Sequence, residues 1–262
     1  MLVNLTRERL LRGETVFGCI AQCYRSPEVA RTFAAAGFDY VFIDMEHGAL
    51  DMETVQDIIK AALERGITPI VRVAELLYSL AARLLDAGAQ GIILPRVEDP
   101  ALLAEALSWL RYPPVGKRGY GINAPMIGYE SRGVPEIIEH FNRNTLAVVQ
   151  FESVTALERA DELLSVKGLD VIMVGPADLS ISLGVAGQFD HPQLVEAVDG
   201  LIAKCVRHGV IPGIQTRSVA MARFWAARGM RLVGAGSEHA LLLEKARQTV
   251  ADLRTVPAPR PA

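Results

Sequence analysis

A chain of 262 residues, half of them hydrophobic and 22% charged, can bury a large core, and a single α/β barrel domain is an ordinary outcome at that length. Its formal net charge of -3 supplies no basic stripe, which argues against nucleic acid as a partner. Charges at Arg7, Glu8 and Arg9 precede any apolar run and no apolar stretch is long enough to span a bilayer, so no membrane partner and a soluble, cytoplasmic protein are expected.

Short apolar runs alternate with segments of helical period along the chain. A strand is predicted at 16–21, a helix at 28–36, a strand at 40–44 and a helix at 52–65. Strands at 69–73 and 91–95 follow, each trailed by a helix, at 77–87 and 101–110. After a long excursion come strand 146–152, helix 156–165, strand 171–175, helix 193–208, strand 210–215, helix 221–228, strand 232–236 and helix 240–253. The runs are nearly all apolar, not alternating, as strands covered on both faces are. Eight βα units of this kind predict a single-domain (β/α)8 TIM barrel over residues 1–255, with a proline-rich tail at 256–262. Gly37, Gly66, Gly88, Gly209 and Gly229 each sit between a helix and the next strand, where a left-handed cap turns the chain.

The excursion at 111–145 breaks the rhythm. It begins Arg111-Tyr112-Pro113-Pro114-Val115-Gly116-Lys117-Arg118-Gly119 and holds a short helical piece near 135–142. Its length suggests a lid or binding loop, with a mobile solvent loop as the plainer reading. Cys19, Cys23 and Cys205 form neither a CxxC pair nor a disulfide framework, which fits a reducing compartment and buried thiols.

Four predicted strand ends carry polar chemistry. The run at 40–44 leads into Asp44-Met45-Glu46-His47-Gly48, the next carries Arg72, 146–152 ends on Glu152, and 171–175 leads through Pro176 to Asp178. In a parallel barrel these ends meet on one face. Glu152 and Asp178 together offer the oxygen donors that Mg²⁺ or Mn²⁺ prefers, with positions left open for a substrate. The competing reading makes Asp178 a helix cap and Glu152 an ion-pair partner. His47 has no second histidine nearby for a zinc site, and proton transfer suits it better; a histidine capping a loop is the alternative. Arg72 needs anionic company, either Asp44 or a developing oxyanion. None of Lys60, Lys117, Lys167, Lys204 or Lys245 ends a predicted strand, which disfavours a Schiff-base mechanism.

Five blocks in order resemble the HpcH/HpaI family of metal-dependent pyruvate aldolases. They are Phe42-Ile43-Asp44-Met45-Glu46-His47-Gly48, the run from Leu85 to Pro95, the run from Arg111 to Gly119, Val149-Gln150-Phe151-Glu152, and Gly175-Pro176-Ala177-Asp178-Leu179-Ser180. The resemblance implies a class II aldolase, a carbon–carbon lyase joining or separating pyruvate and an aldehyde through an enolate, with 4-hydroxy-2-oxo acids as substrates. It implies a divalent cation, Mg²⁺ or Mn²⁺ with Co²⁺ as a further candidate, on Glu152 and Asp178. It also implies that Arg72 stabilises the enolate, that Asp44 holds Arg72, and that His47 moves protons with Asp86. A homo-trimer or homo-hexamer is implied as well. Decarboxylation of oxaloacetate through the same enolate is the enzymatic rival. A barrel that binds 2-oxo acids without turnover would be marked by loss of His47, Arg72 or a metal ligand, and none is lost. The chain departs from the usual family pattern at Gly236-Ser237-Glu238-His239 and Gln215-Thr216, and Cys23 and Tyr24 look individual. Cys23 and Tyr24 are candidates for contact with the aldehyde end.

Overall fold

The computed structural model describes residues 1–122, 124 and 126–255, so the tail predicted at 256–262 lies outside the described residues. Eight parallel strands close into one barrel in sequence order. They are β1 Val16–Ala21, β2 Tyr40–Asp44, β3 Thr68–Arg72, β4 Gly91–Leu94, β5 Leu146–Phe151, β6 Val171–Val174, β7 Ile211–Thr216 and β8 Leu232–Ser237. The (β/α)8 expectation is met, with no strand limit displaced by more than one residue.

Helices α1 Leu5–Leu11, α2 Glu28–Ala36, α3 Met52–Glu64, α4 Tyr78–Asp86, α5 Pro100–Ser108 and α6 Val134–Asn144 accompany the first half. The second half carries α7 Val154–Glu158, α8 Ala160–Leu164, α9 Pro176–Ser182, α10 Pro192–His208, α11 Val219–Ala227 and α12 Glu238–Leu253. Among the described residues no helix is long and apolar enough to cross a membrane. The five cap glycines all take positive φ, from 68° to 115°. Two helices escaped the sequence reading. One is α1, a single short piece capped by the Asn4 side chain, which accepts from the backbone N–H of Arg7 at 2.9 Å. The other, α9, starts with proline at its first position, where the missing N–H costs nothing.

Strand alternation sorts the side chains into two apolar layers. Val16, Tyr40, Phe42, Ile70, Ile93, Leu146, Val148, Val171, Met173 and Leu232 fill the barrel interior. Their neighbours in sequence, such as Val41, Ile43, Val71, Ile92, Val149 and Ile172, face outward into the layer beneath the helices. The same parity carries Asp44, Arg72, Gln150 and Gln215 inward at the carboxyl ends, one step above the apolar plug.

Large inward residues need small partners. A Cβ on Gly18 would stand 2.4 Å from the Tyr40 ring, and Tyr40 is fully buried, with no room to retreat. Gly18→Ala is expected to destabilise the fold by about 1–3 kcal/mol, as overpacking does. A fall in the urea midpoint at unchanged slope would register it; an unchanged midpoint would mean the ring can move.

The excursion is anchored at the amino ends of the strands. Arg111, buried, donates to the Thr145 carbonyl at 2.8 Å and to Asp170 at 3.0 Å, just before β5 and β6. The backbone N–H of Tyr112 donates to Asn142 at 2.7 Å. The first part of 111–145 is therefore not a lid on its own cavity: Arg111, Tyr112 and Arg118 are buried, while 113–115 are exposed. It braces the barrel at the end opposite the strand termini that carry the polar residues.

Candidate active site

Asp44, at the end of β2, is wholly buried and accepts from Arg72 twice, Nε to Oδ1 at 2.9 Å and Nη2 to Oδ2 at 2.7 Å. A two-point contact of this kind fixes the guanidinium plane. Asp44 Oδ1 also accepts the backbone N–H of Glu46 at 3.0 Å and of His47 at 3.4 Å. One carboxylate thus sets both the arginine and the turn that presents His47.

The remaining nitrogen of Arg72, Nη1, reaches Gln150 Oε1 at 3.1 Å and Glu46 Oε2 at 2.8 Å. Gln150 Nε2 in turn donates to Glu152 Oε2 at 2.5 Å. A polar chain therefore runs Asp44, Arg72, Gln150, Glu152 across the mouth of the barrel. Burial opposes the charge on Arg72, but Asp44, Glu46 and Glu152 outweigh it and hold the guanidinium above its ordinary pKa.

Glu152 follows β5, and β6 approaches it closely through Gly175, where a Cβ would lie 2.9 Å from the Glu152 carboxylate and 3.0 Å from Gln150 Nε2. Asp178 is the third residue of α9. The N-cap of that helix is Gly175, without a side-chain cap, so the capping role considered for Asp178 does not apply. Among the described residues neither Glu152 nor Asp178 forms an ion pair, so the alternative reading of Glu152 fails too. Burial pushes the Glu152 carboxyl up to about 7, with Asp178 and Glu46 adding to the rise and Arg72 and Arg96 opposing it. Two acids at one opening, one of them raised by the other's charge, form a donor set that suits a hard divalent cation.

The rise has a thermodynamic consequence for the metal-free protein. The folded value lies above the ordinary 4.5 of glutamate, so stability is fully present below about pH 4.5 and declines as pH rises toward 7. Glu152→Gln removes that loss. The variant is expected to be more stable than the parent at pH 8, by on the order of 1 kcal/mol given the partial solvent exposure, and equal to it near pH 4. Thermal unfolding in chelator at the two pH values checks this, and a lower melting temperature for the variant at pH 8 would contradict it.

Arg72, Gln150 and Asp178 line a cavity of about 460 Å³ together with His47, Phe42, Gln215, Ser237 and His239. Gln150 and Asp178 also border a neighbouring hollow with Arg96, Glu98 and Glu152. Among the described residues no lysine lines either one. His47 is exposed at the rim, its Nε2 3.9 Å from Glu46 Oε2. Asp86 is not brought to it. It ends α4, which runs back toward the amino ends of the strands, and its carboxylate pairs with buried Arg118 at 2.7 Å. Arg72, Asp44, Glu152 and Asp178 thus converge with His47, while Asp86 of the same chain lies at the other end of the barrel.

The sequence reading assigns no role to Glu46, Gln150 or Arg96. Arg96 follows β4 with a φ of 54°, unusual for a residue with a side chain, and donates to Glu46 Oε1 at 2.8 Å. Gln150 was within reach of sequence reasoning: it lies two residues before Glu152 in the predicted strand 146–152, which puts both on one face.

The family model described as HpcH/HpaI aldolase/citrate lyase matches residues 23–244. The chain belongs to this family. A hydroxypyruvate/pyruvate aldolase of Roseobacter denitrificans is 34% identical over 255 residues, 95% of this chain and 96% of the relative. A 2-keto-3-deoxy-L-rhamnonate aldolase of Escherichia coli is 31% identical over 251 residues, 96% of this chain and 93% of the relative. The crystal structure of an HpcH/HpaI aldolase from Desulfitobacterium hafniense superposes with a TM-score of 0.92 at 28% identity, covering 99% of this chain and 100% of the other. Family membership agrees with a barrel whose polar residues gather at the carboxyl ends of its strands.

Proposed function

We propose that this chain is a metal-dependent class II aldolase that makes or cleaves the carbon–carbon bond between pyruvate and an aldehyde, with 4-hydroxy-2-oxo acids as cleavage substrates. The observation that carries the reading is the convergence of a fixed, buried guanidinium and two carboxylates free of ion pairs, among the described residues, at cavities without a lysine. A Schiff-base mechanism has no amine there to use. The names of the relatives, aldolases of pyruvate, hydroxypyruvate and a 2-keto-3-deoxy acid, support the same donor class.

Glu152 and Asp178 would hold the divalent cation, Mg²⁺ or Mn²⁺ with Co²⁺ as a further candidate. When bound, the cation supplies a Lewis-acid centre that polarises the keto oxygen and eases loss of a methyl proton. Arg72, which lines the cavity, donates to the oxygen on which negative charge grows. Asp44 and Glu46 keep that donor in place. Gln150 orients Glu152 through its 2.5 Å contact. His47, at the rim, moves a proton between the reacting carbon or hydroxyl and solvent. Asp86 lies too far along its own barrel for that histidine, so its proposed role toward His47 is one that a neighbouring copy would fill in a homo-trimer or homo-hexamer.

A panel of aldehydes offered with pyruvate and Mn²⁺ or Mg²⁺, followed by the 2-oxo acid product, tests the reading. Aldehyde-dependent product that disappears with chelator is expected. Release of CO₂ from oxaloacetate with no adduct from any aldehyde would favour the decarboxylase instead.

A further inference from the structure

Cys23, just after β1, meets Glu238 and His239 at the start of α12. Glu238 is 5% exposed and its two oxygens have different surroundings. Oε1 accepts the backbone N–H groups of Gln22 at 2.8 Å, of Cys23, and of Tyr24 at 3.1 Å, and so ties the β1 loop to α12. Oε2 is buried with no hydrogen-bond partner. An orphaned carboxylate oxygen in the interior is costly unless a cation or donor meets it.

Oε2 is held 3.8 Å from His239 Nδ1, and that nitrogen is 3.5 Å from Cys23 Sγ. A ligand atom from each of the three residues lies within 4.8 Å of the other two. In a tetrahedral site with bonds of about 2.0–2.3 Å, ligand atoms stand about 3.3–3.8 Å apart. Two of the three separations therefore match; Cys23 is exposed and His239 half-buried, with His239 Nδ1 also 3.2 Å from Ser237 Oγ. A thiol, an imidazole and a carboxylate are a donor set for a borderline-soft ion; Mg²⁺ and Ca²⁺ avoid sulfur.

We propose that Cys23, Glu238 and His239 form a second cation site, distinct from Glu152 and Asp178, that takes a thiophilic divalent ion of the Zn²⁺ class. On binding, the Cys23 S–H bond breaks, a sulfur–metal bond forms and the proton leaves to solvent. Three protein ligands leave the fourth position open. His239 and Ser237 also line the 460 Å³ cavity, so the site adjoins the volume proposed for substrate.

Co²⁺ serves as the probe, because thiolate ligation gives a charge-transfer absorption that oxygen and nitrogen ligands do not. The full chain carrying Glu152→Gln and Asp178→Asn, which silence the other carboxylates, is titrated with Co²⁺ and then with Zn²⁺. Parent protein saturated with Mg²⁺ is titrated in parallel, in case the double variant folds poorly. One Co²⁺ per chain with the thiolate band, displaced by one Zn²⁺, is the expected result in the double variant, and the same thiolate band in the parent, where Co²⁺ can also replace Mg²⁺ at Glu152 and Asp178. Cys23→Ser should erase the band. His239→Ala, and Glu238→Gln, which retains the Oε1 acceptor, should each weaken binding by at least about tenfold. Co²⁺ binding without a thiolate band, or a band that survives Cys23→Ser, would overturn the proposal. Because the readout is metal binding and not turnover, its failure leaves the aldolase reading intact, and failure of that reading leaves this one testable.

Discussion

Glu152→Gln and Asp178→Asn are each expected to lower kcat/KM by about a thousandfold, with the fold retained. Both substitutions keep size and hydrogen-bonding shape while deleting the charge that holds the cation. Retention of the fold follows from the absence, among the described residues, of any ion pair to either one, and from relief of the burial and like-charge cost that pushes Glu152 up to about 7. Gln150 keeps a partner, since the amide oxygen that Glu152→Gln introduces can still accept. Isothermal titration with Mn²⁺ beside steady-state assays separates the causes: weaker metal binding should account for the loss, partly restored at high Mn²⁺. Full activity of either variant in chelator would remove the assigned ligands from the mechanism.

The second large effect is expected at Arg72. Arg72→Lys should cost about a hundredfold in kcat while metal affinity changes little, because the interaction is with charge that develops during the reaction. An ammonium cannot take both Asp44 oxygens and also reach Gln150 as the three nitrogens of Arg72 do. Loss of the guanidinium leaves Asp44 buried, so Arg72→Ala is expected to lose about 3–5 kcal/mol of stability besides activity. Lysine, which retains the charge, is therefore the informative variant. An unchanged kcat in a folded Arg72→Lys protein would reduce the residue to a structural ion pair with Asp44.

The barrel was legible because eight apolar runs and five glycine stops repeat on one period, and burial on both faces is what makes those runs continuous. Asp44, Arg72 and Glu152 were legible for a related reason: a charged residue that interrupts an apolar strand needs a partner, and a parallel barrel brings such interruptions to one end. The roles of Glu46, Gln150 and Arg96 were not seen, because they depend on reach between separate strands. Glu46 reads as one more loop acid until Arg72 and Arg96 are found on either side of its carboxylate. Asp86 shows the opposite limit. Its motif points to a role beside His47, whereas the direction of α4 takes it to the far end of the barrel and into a pair with Arg118. The excursion at 111–145 looked like a lid from its length alone, although its place between a helix and the next strand assigns it to the amino ends of the strands.

The central claim is that this site forms the enolate of pyruvate, and exchange of the pyruvate methyl protons with D₂O, with no aldehyde present, tests it most directly. Proton NMR should show the methyl signal decaying with native protein and Mn²⁺ or Mg²⁺, and no decay beyond the protein-free rate in chelator. His47→Ala, loaded with the same metal, should exchange about a hundredfold more slowly. A native protein that cleaves a 4-hydroxy-2-oxo acid yet leaves the methyl protons of pyruvate unexchanged would contradict the account.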